Sequence, residues 1–279
     1  MTTESHSSTR DASAHEQSPA GVVPARRTRL AGLDFDRLAE TQVVRHVMEA
    51  GRLGIGGWIV TPNIDICRLS RRDAALRSLV ASASLIVPDG MPLVWASRLR
   101  GDPLPERVAG GSLIFSLSEA AARHGRTIYL LGGKPGVPEQ AGEELRRQYP
   151  GLAVAGTDSP PVGFDSDPDA LEAIRARIAA AAPDIVYVGL GCPKQEHLIS
   201  RLAPSFPATW FLGCGAAIPY AAKAMPRPPR WMRQAGLAWL FRLLREPRRL
   251  FRRYLIHDLP FAVSLLTEAV VVRLRQRGG

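Results

Sequence analysis

The chain has 279 residues, 46% of them apolar, which bounds it to one medium α/β domain or one such domain with an appendage. Its three scattered cysteines, Cys67, Cys192 and Cys214, show no CxxC spacing, so they indicate neither a disulfide framework nor a zinc cluster and read as ordinary buried thiols. The net charge of +10 is concentrated, because twelve arginines between Pro226 and Gly279 face only Glu246, Asp258 and Glu268 and leave the rest nearly neutral. Such a segment suits either nucleic acid or the anionic inner leaflet of a membrane.

Residues 1 to 30 are polar, with Ser-Ser-Thr and Ser-Pro-Ala-Gly runs, and read as a disordered tail outside the fold. They lack the apolar stretch of a secretory leader, so the expected compartment is the cytoplasm. Residues 31 to 225 read as an α/β domain. It opens with DFDRLAETQVVRHVMEAGR from Asp34, an amphipathic helix pattern. Strands follow in GGWIVTPN, SLIVPDG, TIYLLGG, LAVAGT, DIVYVGLG and ATWFLGCG, and helices lie between them, such as RDAALRSLVASA and DPDALEAIRARIAAAA. Short, continuously apolar strands alternating with helices predict a parallel sheet covered on both faces.

From residue 226 to 279 the pattern changes to a basic amphipathic appendage. In WMRQAGLAWLFRLLREPRRLFRRYLI the aromatics and leucines alternate with arginines, which fits a helix lying in a membrane interface or one packed on its own domain with a solvated Arg face. The apolar piece LPFAVSLLTEAVVV is interrupted by Glu268 and reads as too short to span a bilayer.

Open parallel sheets bind ligands at the carboxyl ends of their strands, and several turns here carry suitable residues. The loop after TIYLL holds Gly132, Gly133 and Gly136 ahead of a helix, which lets backbone amides approach a diphosphate. It is not a GxGxxG loop and no suitable acid follows about twenty residues on, which disfavours a dinucleotide enzyme. Gln195, in YVGLGCPKQE, offers donors and acceptors for sugar hydroxyls or phosphate oxygens, while Thr61 and Asn63 flank a proline after the first strand. Asp89 in the Pro-Asp-Gly turn is the candidate base, since a lone carboxylate among apolar walls holds a proton more readily.

In order along the chain, TPN (61 to 63), PDG (88 to 90), LPERVAG (104 to 110), YLLGGKPG (129 to 136), VGLGCPKQE (188 to 196) and the tail PRPPRWMR to FRRYL resemble the WecG/TagA/CpsF glycosyltransferases of bacterial surface-polymer synthesis. The resemblance runs from about Leu33 to Leu255. It implies a Rossmann-like fold and inverting transfer, without a metal or cofactor, of an N-acetylmannosaminyl or related hexosyl unit. The donor would be a UDP-sugar, the acceptor a sugar on undecaprenyl diphosphate, and the setting the inner face of the cell membrane. It further implies Asp89 as base, Thr61 and Asn63 as substrate contacts, and Arg107 and Gln195 as pocket residues. Arg227, Arg230, Arg233, Arg242, Arg248, Arg249 and Arg252 are expected to meet the membrane or the diphosphate. The chain departs from the family's pattern at Pro92, Ser112, Pro219 and Ala222. A basic nucleic-acid-binding protein is the rival its charge raises, and a homo-oligomer is left open.

Overall fold

The computed structural model describes residues 26–277. The expected tail lies outside these residues up to residue 25, and its last residues are not tail at all. Arg27–Leu30 (β1) pairs antiparallel with Leu33–Asp36 (β2) across a two-residue turn in which Ala31 and Gly32 both take positive φ. The helix expected from Asp34 therefore starts later, at Glu40–Arg52 (α1). The cause is Asp36, whose buried carboxylate accepts from Arg27 Nε at 2.8 Å and from the backbone N–H of Ile86 at 2.8 Å. That holds the segment extended against the main sheet.

The rest alternates as expected: Gly57–Val60 (β3), Ile64–Arg72 (α2), Ala74–Ala81 (α3), Leu85–Ile86 (β4), Met91–Arg100 (α4), Gly110–His124 (α5), Thr127–Leu131 (β5), Val137–Gln148 (α6), Ala153–Asp158 (β6), Pro168–Ala181 (α7), Ile185–Val188 (β7), Lys194–Leu202 (α8), Trp210–Gly213 (β8) and Ala217–Ala221 (α9). Six strands form one parallel sheet in the order β4-β3-β8-β7-β5-β6. The four residues of β7 and of β8 are all buried, as continuous apolar runs require when helices cover both faces. Helices α1, α5, α6 and α9 pack on one face, and α2, α3, α7 and α8 on the other.

The appendage consists of Arg230–Gln234 (α10), Ala238–Arg245 (α11), Pro247–Phe251 (α12), a π-helical turn over Arg252–Asp258, and Leu259–Arg277 (α13). The run Pro247–Arg277 is long and apolar enough by length and composition to cross a bilayer, unlike the short piece expected from the sequence, because α12, the π-turn and α13 join end to end. Its inner face is occupied: Ala262, Leu265 and Ala269 are buried in the same core as α4 and α2.

The π-turn has a local cause. Pro260 has no N–H to donate, and its ring crowds the carbonyl four residues back. The preceding turn widens, and the Leu259 N–H reaches the Tyr254 carbonyl five residues back. In an α-helix, residues five apart point about 140° away from each other; in the π-turn, Arg253 and Asp258 share one face. They meet Asp65 and Arg68, which are three apart on α2. Arg68 pairs with Asp65 at 2.5 Å and with Asp258 at 3.2 Å, while Arg253 pairs with Asp65 at 2.9 Å and approaches Asp258 at 3.7 Å. A ring of alternating charge thus fastens the appendage to α2.

Candidate active site

The loops after β3 and β4 run side by side at the carboxyl edge of the sheet. The N–H of Val87 donates to the Val60 carbonyl at 3.1 Å and that of Asp89 to the Pro62 carbonyl at 2.9 Å. The Pro88 carbonyl accepts from the N–H of Val108 at 2.8 Å, which brings the LPERVAG segment alongside. Backbone pairing alone therefore sets Asp89 opposite Arg107, whose Nη1 donates to Asp89 Oδ1 at 2.8 Å. Both side chains are recessed but reachable, at 27% and 19% exposure. Burial pushes the Asp89 carboxyl above its ordinary value; Arg107 and, more weakly, Arg242 pull it back, and Glu40 adds a small upward push.

Thr61 is buried beneath the start of α5. A Cβ placed on Gly110 would stand 3.3 Å from Thr61 Oγ1 and 3.1 Å from Cys214 Cα, so only glycine lets the helix begin this close to β3 and β8. In the first turn of α5 the Ser112 and Leu113 N–H groups donate to the Ala109 carbonyl, each at 2.9 Å. Asn63 caps α2, accepting from the Ile66 N–H at 3.0 Å. This leaves its amide nitrogen for other partners.

Two expected binding features are occupied by the protein itself. Gln195 Oε1 accepts the N–H of Gly191 at 3.2 Å and of Gly215 at 3.0 Å, while its Nε2 donates to the buried Glu196 at 2.9 Å. Gln195 thus ties the β7 and β8 loops together and shapes the floor of the site. In the glycine loop, the Gly132 N–H is spent on the Asp158 carbonyl at 2.8 Å. A Cβ on Gly132 would lie 2.7 Å from the Gly189 carbonyl oxygen, so the glycine serves close packing of two loops. Gly133 and Gly136 also take positive φ, and Gly136 precedes the first turn of α6.

The family model for the glycosyl transferase WecG/TagA/CpsF family matches residues 28–275. The chain belongs to this glycosyltransferase family. It is 32% identical over 200 residues to an N-acetylglucosaminyldiphosphoundecaprenol N-acetyl-beta-D-mannosaminyltransferase of Bacillus spizizenii, covering 72% of this chain and 75% of that protein. A Bacillus subtilis protein of the same name is 30% identical over 214 residues, 77% of this chain and 80% of its own.

The seven C-terminal arginines expected to meet the membrane or the diphosphate fall into two groups. Arg230, Arg248, Arg249 and Arg252 are exposed. Arg227, Arg233 and Arg242 turn inward. Arg227 lies 3.8 Å over the Phe115 ring and donates to the Gly111 carbonyl at 3.1 Å; burial, with Arg233 nearby, brings its guanidinium down to about 10. Arg242 is close enough for its charge to act on Asp89, and its Nε is buried without a partner. Sequence reasoning placed a helix over GSLIFSLSEAAARHG but gave its start at Gly110 no part in the site, and it missed Glu40, which accepts from Ser112 Oγ at 2.5 Å. It also missed Tyr220, which shares the surroundings of Arg242 and Asp89. Each depends on contacts between segments far apart in the chain. No group of three or more His, Cys, Asp or Glu gathers as for a metal among the described residues.

Proposed function

We propose that this glycosyltransferase moves an N-acetylmannosaminyl or related hexosyl unit from a UDP-sugar onto a sugar carried by undecaprenyl diphosphate, at the inner face of the cell membrane, with inversion and without a metal. The observation that carries it is the Asp89–Arg107 pair at the strand ends, in a family whose relatives bear that activity in their names. Arg107 engages Oδ1 and leaves Oδ2 for an acceptor hydroxyl. Asp89 removes that proton as the hydroxyl oxygen bonds to the anomeric carbon, and the bond from that carbon to the UDP oxygen breaks with its electron pair on the leaving diphosphate. Negative charge grows on that diphosphate, and Arg242 and the α5 amides supply fixed positive charge toward it. Cationic side chains in this role support departure without a metal.

The membrane setting is supported by the appendage's outer face, where Trp231, Leu244 and Phe251 stand 62%, 72% and 51% exposed beside the outward arginines. The test is a panel of UDP-sugars offered with a short-chain polyprenyl diphosphate N-acetylglucosamine acceptor in excess EDTA. Transfer from one N-acetylhexosamine donor with a product of opposite anomeric configuration is expected. No transfer from any UDP-sugar, or retention of configuration, refutes the reading.

A further inference from the structure

A cavity of about 360 Å³ opens at the far end of α4 from the catalytic recess. Its wall comes from four separate segments: Arg29 of β1, Arg71 and Arg77 around the α2–α3 junction, Arg100 at the end of α4, and Glu268 and Val272 of α13. Four guanidinium groups thus face one carboxylate. Arg100 Nη1 donates to the Arg29 carbonyl at 2.8 Å and Arg77 Nη1 to the Ser70 carbonyl at 3.4 Å. Arg71 pairs with Glu268 at 3.1 Å, and Arg29 reaches Asp34, outside the cavity, at 3.5 Å. Each contact uses one or two of the five donors an arginine carries, and two of the four arginines are held by neutral carbonyls that leave their charge uncompensated. Like charges oriented around one small space repel each other, and an anion between them reverses the sign of that interaction.

A phosphate group fits this arrangement, since guanidinium forks engage phosphate oxygens in pairs. The phosphates of the reacting donor are elsewhere, because α4 separates this cavity from Asp89 by its ten residues, about 15 Å. The immediate surroundings point to the source. Leu99, next to Arg100, is 45% exposed, and Val271, next to Val272 on α13, is 40% exposed. A cationic hollow with an apolar collar suits an anionic amphiphile, with its phosphate among the arginines and its chain on the collar.

We propose that this cavity binds the phosphate headgroup of an anionic phospholipid and anchors the body of the enzyme, at the end opposite the reaction, to the membrane. The proposal rests on the membrane setting proposed above and adds a defined lipid site distinct from the exposed appendage arginines. Its effect is to fix how the protein lies on the bilayer, through a contact on the α4 side as well as through α10 to α12.

Co-sedimentation of the full-length protein with phosphatidylcholine vesicles, with and without phosphatidylglycerol, tests it. The variants are Arg77→Gln combined with Arg100→Gln, whose arginines rest on carbonyls, and Arg201→Gln on the exposed side of α8 as a charge control. The double variant is expected to lose about 25-fold in affinity for phosphatidylglycerol vesicles, about fivefold per arginine, which corresponds to about 1 kcal/mol for each cation near an anionic leaflet. Arg201→Gln is expected to change binding less than twofold, and turnover on a soluble short-chain acceptor is expected to stay the same in both. Equal losses for the control and double variants, or wild-type binding by the double variant, overturn the lipid site while leaving the membrane reading in place. If wild-type protein binds neither kind of vesicle, the membrane reading falls and takes this proposal with it. Inorganic phosphate that raises the melting temperature of wild type but not of the double variant, without any preference for phosphatidylglycerol, identifies a free-anion site and overturns the lipid assignment. A melting temperature of the double variant within a few degrees of wild type keeps the comparison free of misfolding.

Discussion

The ring of Asp65, Arg68, Arg253 and Asp258 makes a quantitative prediction about how the appendage is held. Asp258→Asn keeps the size of the side chain and removes one charge from a set in which Asp65, Arg68 and Asp258 are only 13%, 12% and 11% exposed. Arg68 and Arg253 then share Asp65 alone, and a surplus of positive charge remains that is nearly buried at Arg68 and about a third exposed at Arg253. Breaking a buried ion pair by removing one partner costs about 3 to 5 kcal/mol; because some water reaches the ring, the lower end, about 3 kcal/mol, is the expected cost here. The cost falls on docking of the C-terminal helices to α2, since the ring joins only those two parts. A loss of about 3 kcal/mol raises the population of the undocked form roughly a hundredfold, and cleavage of transiently opened segments follows that population when reclosing is fast. Tryptic cleavage within Arg245–Arg253 under native conditions should therefore accelerate by about two orders of magnitude, while the thermal transition of the sheet domain moves little. Cleavage at the wild-type rate would show that the ring contributes nothing to docking and that apolar packing of Ala262, Leu265 and Ala269 holds the appendage alone.

Asp89→Asn is expected to lower turnover by about 10² to 10⁴, the usual contribution of a positioned base, with UDP binding unchanged by calorimetry; activity within a few-fold of wild type removes Asp89 from the mechanism. Because burial holds the Asp89 carboxyl above its ordinary value and transfer needs its ionised form, the rate should rise with pH through a limb displaced above the usual carboxylate range. Arg107 pulls that value down, so Arg107→Gln should move the limb to higher pH, and a shift to lower pH would contradict the assigned sign. Transfer should persist in excess EDTA, and loss of activity restored by added metal would refute the metal-free departure. Replacing Trp231, Leu244 and Phe251 together by serine should weaken vesicle binding to the same extent at low and high salt, because apolar insertion is not screened; a loss confined to low salt would assign the binding to charge alone.

The sheet strands were legible where they carry an uninterrupted apolar run buried on both faces, as in Ile185–Val188 and Trp210–Gly213, whereas the edge strand Ala153–Asp158 is only partly covered. The β1–β2 hairpin was not legible. Its Asp34 and Asp36 look like the polar face of the helix that follows, and nothing local reveals that Asp36 is buried against Ile86, fifty residues on. The length of the C-terminal helix was misjudged for a related reason. The piece LPFAVSLLTEAVVV reads as short because Glu268 interrupts it, whereas in the fold Pro247 opens α12 and Pro260 is accommodated by widening the turn before it, so the helix runs from Pro247 to Arg277.

The site divides along the same line. Asp89 and Arg107 were identifiable from their motifs, and short-range backbone pairing with the neighbouring loops brings them together. Gln195 was legible as a polar residue at a strand end, but its engagement with Gly191 and Gly215 requires knowing that β7 and β8 are neighbours. The arginines are the clearest case. In the sequence Arg227 and Arg230 occupy equivalent-looking places in a basic run, yet Arg227 stacks on Phe115 and Arg230 faces solvent. Charge counting treats both alike, as contacts for the membrane or the diphosphate. The fold instead separates arginines that shape the recess from those free to meet phosphates outside it, so removing Arg227 should be felt in folding and turnover, and removing Arg230 in the salt dependence of membrane binding.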